Sequence, residues 1–249
     1  MTYSSVTVVS DVHGVLPVLE AVLAEPDVQA SDLIVVNGDT VSGPMPRQTL
    51  DALSALGHRC LLVRGNGDRE AVEASRGLPC DYAESLWAGR ELRHDQLDLL
   101  ATLPHRRTVH IAGFGPVLFC HATPDSDTDV VLVDTPLDLW IKALSAVDDD
   151  VRTVVCGHTH MPFLRFVDGR IVLNPGSLGM PYGRPGGSWA LLRDGQIQLR
   201  HTPIDVDAAC ARIVAESDMP QCQAWVDEYV RAINTDVDAL RAFAPLDGR

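Results

Sequence analysis

Lysine is almost absent from this chain: Lys142 is the only one among 249 residues, and Lys plus Arg total 20 against 34 Asp plus Glu. The formal charge of −14 leaves too few cations to track the phosphates of a long nucleic acid, which excludes RNA and DNA as extended partners. No apolar run approaches the ~18–20 residues that span a bilayer, so a helical membrane protein is excluded. Met1-Thr2-Tyr3-Ser4-Ser5 carries no basic stretch ahead of the first apolar run, and that run ends at Asp11 instead of a small-residue cleavage site, so no cleaved secretion signal is expected. The six cysteines form no C-x-x-C pair. Cys60, Cys120 and Cys156 lie in apolar runs where thiols act as small hydrophobes, so reduced cysteines and a cytoplasmic location are expected.

What is present is a chain that can build a core, since 46% of it is hydrophobic. In the first third, the apolar runs Val6 to Ser10, Leu33 to Val36 and Cys60 to Val63 alternate with stretches of helical spacing, the last of them from Arg69 to Ser75. That alternation predicts βαβ units and a largely parallel sheet. Asp81 to Leu103 reads as helical, with Leu92, Leu97, Leu99, Leu100 and Leu103 as its buried side. The second half is mostly short strands, with a helix at Pro136 to Val147 and hairpin turns at Asp168-Gly169 and Asp194-Gly195. Helices return from Asp205 to Ser217 and from about Gln221 to Phe243, where Trp225, Val226, Val230, Ile233, Leu240 and Phe243 form a core-facing stripe or a partner surface. The expected division is a domain over 1–204 with a helical appendage, 205–249, packed on it. Two mixed sheets packed together with helices outside is the expected architecture.

Five segments place metal-ligand residue types directly after an apolar strand: Ser10-Asp11-Val12-His13-Gly14, Asn37-Gly38-Asp39, Gly65-Asn66-Gly67-Asp68, Cys120-His121-Ala122 and Gly157-His158-Thr159-His160. Loops at the carboxyl ends of strands gather at one crevice in open α/β sheets, so these side chains can converge. Taken singly, each has an ordinary explanation as a turn former, a helix cap or a hydrogen-bonded core histidine. As an ordered series they are similar to the calcineurin-like metallophosphoesterases, whose motifs run D-x-H, G-D, G-N-H-[DE], H and G-H-x-H. The likeness extends from Val6 to Ser177. Phe119 to Pro124 with Asp134-Thr135-Pro136 resembles the bacterial subgroup of asymmetric diadenosine tetraphosphate hydrolases and broad-specificity phosphodiesterases.

That resemblance implies a four-layer αββα sandwich and a two-metal site. Asp11, His13 and His160 would hold one ion, Asn66, His121 and His158 the other, and Asp39 would bridge them, with Asp39, Asn66 and His121 closest to the chemistry. Imidazoles and hard oxygens suit two divalent ions, Mn²⁺ first, with Fe, Co, Ni, Zn or Mg as alternatives. The implied reaction is attack of a metal-bridging hydroxide on a small nucleotide-like diester or a phosphoanhydride such as diadenosine tetraphosphate. The resemblance also implies a homodimer, while the lack of long apolar runs leaves no membrane partner expected. The chain departs from the pattern at Gly67, where many members have a His that touches the phosphate or leaving group. Losing that group weighs most on poor leaving groups and tilts the expectation towards diesters or anhydrides. Val15 replaces a common Asn, and Arg184, in the Gly179 to Gly187 loop, is a candidate substitute phosphate contact. A general phosphomonoesterase or protein phosphatase is the alternative enzyme reading, and a non-catalytic scaffold is the third.

Overall fold

Period-two burial organises the middle of the molecule. In the computed structural model, which describes residues 1–249, Leu33 and Val35 face one core while Ile34 and Val36 face another, and the same split separates Val117 and Phe119 from Leu118 and Cys120. Strands buried on both faces need apolar residues at every position, and the sequence supplies them.

The strands are β1 (Thr2–Tyr3), β2 (Ser5–Val9), β3 (Leu33–Asn37), β4 (Cys60–Val63), β5 (Arg106–Ile111), β6 (Gly115–Cys120), β7 (Thr153–Val155), β8 (Phe163–Val167), β9 (Arg170–Asn174), β10 (Gly187–Arg193) and β11 (Gln196–Thr202). The helices are α1 (Leu16–Leu23), α2 (Pro26–Gln29), α3 (Pro46–Ser54), α4 (Asn66–Ser75), α5 (Ala83–Glu91), α6 (His94–Ala101), α7 (Leu137–Ala143), α8 (Val206–Glu216), α9 (Cys222–Val226) and α10 (Asp236–Phe243). One sheet has the order β11-β10-β2-β3-β4 and the other β1-β5-β6-β7-β9-β8. β2, β3 and β4 are parallel, as are β6, β7 and β9, while hairpins add the antiparallel strands.

The two sheets pack face to face through Val6, Val8, Val35, Val117, Phe119 and Leu173. α1, α8 and α9 cover the outer face of the first sheet, where Leu19, Ile213, Trp225 and Val226 share one core. α7 and α10 cover the second, around Trp140, Val154, Cys156 and Ala239. This is the four-layer αββα arrangement expected. Both Asp-Gly turns have the positive φ angles of tight hairpins, +43° and +77° at Asp168-Gly169 and +54° and +70° at Asp194-Gly195. No helix is long and apolar enough to cross a membrane.

Several boundaries differ from expectation. α4 begins at Asn66, not Arg69, because the Asp68 carboxylate accepts from the Gly65 N–H at 3.0 Å and caps an earlier turn. The 81–103 stretch splits at Leu92-Arg93, where Gln96 accepts from the Arg93 N–H at 3.1 Å and starts a new helix. Within it Leu92, Leu100 and Leu103 are buried and Leu99 is exposed. The last helix breaks after Arg231, since Thr235 and Asp238 cap each other and restart it. Trp225, Val226 and Val230 are core residues, whereas Ile233 is 69% exposed.

Candidate metal centre

The ends of β2, β3, β4, β6 and β7 meet at one edge of the two sheets, and each is followed by one of the five motifs. The backbone there is unusual. Asp11, His13, Asp39, His158 and His160 all have left-handed φ, between +48° and +65°, and they are five of the eight non-glycine residues that do. Asp and His tolerate this region better than most side chains, yet each such residue costs of order 1–3 kcal/mol and persists only where neighbours hold it. Here the neighbours are hydrogen bonds across the strand ends: Asp11 N–H to the Gly38 carbonyl at 3.0 Å, His13 N–H to Asp39 at 2.9 Å, and Gly179 N–H to Asp11 at 2.9 Å.

Two Asp/His clusters result, Asp11-His13-His160 and Asp39-His121-His158, with the ligand atoms of each within 4.8 Å of one another. His160 Nε2 stands 3.3 Å from Asp11 Oδ1, and His13 and His160 bring their Nε2 atoms to 3.1 Å. Asp39 Oδ2 lies 3.4 Å from His121 Nε2 and 3.8 Å from His13 Nε2, so it faces both clusters, and Asp11 Oδ1 likewise comes within 3.8 Å of His121 Nε2. The Gly67 N–H donates to the other Asp39 oxygen at 2.7 Å and brings the start of α4 alongside, with Asn66 on it. Asn66 and His158 line the same cavity, about 790 Å³ in volume.

The orientation of the imidazoles tests whether this set fits metal ions. His13, His121 and His160 each place Nδ1 against a main-chain carbonyl, those of Ser42, Asn37 and Met180, at 2.8, 2.9 and 3.1 Å. A carbonyl only accepts, so Nδ1 carries the proton and Nε2 turns its lone pair into the site. His121 Nε2 and Asn66 Oδ1 are buried without a hydrogen-bond partner. Acceptor atoms converging without donors are what a divalent cation satisfies, and the residues present fit two such ions.

Electrostatics agree. Burial opposes charge on the Asp11 and Asp39 carboxyls, but His160 and His121 beside them, respectively, outweigh it and hold both below the usual carboxylate range. Burial likewise opposes a charged His121, yet Asp39 and Asp11 push it up to about 10. Burial and the His121 charge push His158 down to about 4, and burial and His160 lower His13. The two aspartates thus favour a second proton on His121, at the Nε2 position that a cation would take. Beneath it, burial and the Asp39 charge push the Asp68 carboxyl up to about 7 while it accepts from the Thr40, Val41 and Gly65 N–H groups.

Two glycines are needed by close approach. A Cβ on Gly38, whose φ is +95°, would lie 2.3 Å from His121 Nδ1. A Cβ on Gly67 would lie 2.7 Å from Ser42 Cβ. Gly67→His is therefore expected to cost about 1–3 kcal/mol by overpacking and to lower activity; thermal unfolding at an unchanged Tm would contradict this.

Arg184 is not brought to the site. It is exposed, sits beside His201 and does not line the cavity. Val15 is wholly buried in the core under α1. Arg64 and Arg69, which flank the Asn66 loop, both reach Asp127, at 3.5 and 2.9 Å. The Asn174 to Ser177 loop braces the centre: Asn174 donates to the Gly157 carbonyl at 2.8 Å, and Ser177 Oγ donates to that of Asp11 at 2.8 Å. Sequence reasoning missed Glu70, which accepts from Asn66 Nδ2 at 3.2 Å. Its i+4 spacing from Asn66 was the available signal. It also missed Ser85, and no local pattern marks that residue.

The family model for the calcineurin-like phosphoesterase superfamily domain matches residues 5–194. The uncharacterized protein MJ0912 of Methanocaldococcus jannaschii is 27% identical over 257 residues, which cover 92% of this chain and 98% of that one. Among solved structures, a metallophosphoesterase from Sphaerobacter thermophilus is similar with a TM-score of 0.71 and 25% identity, covering 90% of this chain and 98% of that one. Hypothetical protein PH1004 from Pyrococcus horikoshii OT3 shares the fold with a TM-score of 0.76 at 19% identity, over 94% and 100% of the two chains. The chain belongs to the calcineurin-like phosphoesterase superfamily and is a phosphoester hydrolase.

Proposed function

We infer that the enzyme loads two divalent ions, Mn²⁺ foremost, and hydrolyses small phosphodiesters with uncharged, nucleoside-sized substituents. The observation that carries this reading is the orientation of His13, His121 and His160, whose Nδ1 atoms are tied to carbonyls while Nε2 faces the aspartates. When bound, two such ions supply positive charge to the phosphoryl oxygens and lower the pKa of a water between them. Asp11, His13 and His160 would hold one ion, Asn66, His121 and His158 the other, and Asp39 would contact both.

Two features of the chain select the substrate. Gly67 has no side chain to protonate a leaving group, so esters whose leaving groups depart unaided are favoured. The 790 Å³ cavity beside Asn66 and His158 is the size of a nucleotide-sized substituent. Its lining holds Glu70, Asp125, Asp129 and Asp247 against Lys142 and no arginine. Asp125 and Asp247 are offset by Arg106 and Arg249 from outside the lining, but nothing there is arranged to receive a chain of further phosphates. Diadenosine tetraphosphate thus becomes the weaker of the two substrate types.

With Mn²⁺ saturating, bis(p-nitrophenyl) phosphate is expected to turn over at least ~10²-fold faster than glycerol phosphate, and faster than diadenosine tetraphosphate. Product release measured for all three checks this; faster hydrolysis of the alkyl monoester would favour the phosphomonoesterase reading.

A further inference from the structure

Glu70 makes a directed contact with a candidate ligand. A carboxylate cannot donate, so the Asn66 atom facing Glu70 Oε1 at 3.2 Å is the amide Nδ2, and Oδ1 is turned the opposite way. That Oδ1 is buried and has no partner. The second carboxylate oxygen of Glu70 accepts from Ser85 Oγ at 3.1 Å. Ser85 has a single proton and gives it to Glu70, so the 2.9 Å contact between Ser42 Oγ and Ser85 Oγ must be donated by Ser42. The main-chain carbonyl of the same Ser42 accepts from His13 Nδ1 at 2.8 Å. Asn66 in one half of the centre and His13 in the other are thus joined by bonds whose directions are all fixed by acceptor-only groups.

The packing permits this chain of contacts and shows where it comes from. Ser85 lies on α5, within the 81–103 stretch. Of that segment only Tyr82 lines the cavity. α5 instead crosses α4 closely, where Gly89 stands against Ala71 and a Cβ on it would lie 2.5 Å from the Ala71 carbonyl oxygen. Gly67, by having no side chain, leaves Ser42 the space to reach Ser85.

We propose that Glu70 is a positioning residue that turns the Asn66 amide oxygen onto the second metal position, and that Ser85 and Ser42 tie this orientation to His13 at the first. The proposal rests on the two-metal reading above. Partners that orient metal ligands in this way typically contribute 10- to 100-fold in metal affinity.

The test uses full-length protein stripped with chelator and titrated with Mn²⁺ by calorimetry and electron paramagnetic resonance, with metal-free Tm measured in parallel. Glu70→Leu is expected to weaken one of the two Mn²⁺ affinities by about 10- to 100-fold, leave the other unchanged and replace the coupled two-ion spectrum by a single-ion one. Glu70→Gln still accepts from Asn66 through its amide oxygen and is expected to keep both affinities. Ser85→Ala should shift the same affinity in the same direction, by about tenfold at most. The proposal is overturned if Glu70→Leu or Ser85→Ala binds both ions as wild type does. It is also overturned if Glu70→Gln loses as much as Glu70→Leu, or if both ions weaken together with a fall in metal-free Tm. Wild-type protein that takes up no Mn²⁺ would overturn the two-metal reading itself, a result distinct from each of these.

Discussion

Asp39→Ala is expected to reduce hydrolysis of bis(p-nitrophenyl) phosphate by about 10³-fold or more, since losing even one preorganised neutral hydrogen-bond donor to a transition state costs about 10²- to 10³-fold. Asp39 faces both clusters, 3.4 Å from His121 and 3.8 Å from His13, and unlike Asp11 it also anchors α4 through the Gly67 N–H at 2.7 Å. Its removal takes a carboxylate from both clusters and frees the helix start that presents Asn66. Both effects point the same way, so kcat should fall and Mn²⁺ stoichiometry should drop with it. Measured at saturating Mn²⁺, activity within tenfold of wild type would show that Asp39 does not serve both ions.

The second large effect is a pH dependence of metal binding. His121 is pushed up to about 10 by Asp39 and Asp11 against the cost of burial, so at neutral pH the metal-free protein carries a proton there. A coordinated imidazole must be neutral, so loading the site expels that proton. His158, held down at about 4, is already neutral and releases nothing. Because the folded His121 pKa is raised above its unfolded value, the proton stabilises the metal-free fold fully below the unfolded value of about 6.5, and that contribution fades as pH rises through about 10. Metal affinity follows the opposite course, rising about tenfold per pH unit between about pH 6.5 and 8.5 as proton competition weakens. Calorimetry in buffers of different ionisation enthalpy reads the proton directly. An affinity flat across this range would show that His121 is neutral in the metal-free protein.

Much of the fold is legible in the sequence. The alternating apolar runs of the first third, together with the hairpin-rich second half, pointed to two mixed sheets, because a strand buried on both faces leaves a continuous apolar pattern. Asp168-Gly169 and Asp194-Gly195 announced their hairpins because few other dipeptides adopt two positive φ angles cheaply. Helix boundaries were less legible: Asp68 and Gln96 set them through side-chain caps that hydrophobic periodicity does not register. The Thr235-x-x-Asp238 box was present in the sequence as a signal and marks the break in the last helix. Arg184 looked suited to phosphate by its residue type, but the loop that crosses from β9 in one sheet to β10 in the other leaves it exposed beside His201.

The sequence by itself determined which residues stand at the ends of β2, β3, β4, β6 and β7, and therefore which side chains could meet, since strand order and residue type are local properties. The tertiary structure decided how they meet. It placed the carbonyls of Ser42, Asn37 and Met180 behind three imidazoles, set five ligand candidates in left-handed backbone, and brought Ser85 to Glu70 across a helix crossing that only small residues permit. Those contacts join residues 15 to 84 positions apart, and no periodic pattern encodes them because they depend on how finished elements pack. Lysine scarcity retains its meaning in that setting. A chain this poor in cations leaves the charge that holds a phosphate to metal ions, and the buried acceptors of Asp39, Asn66 and His121 are placed to receive them.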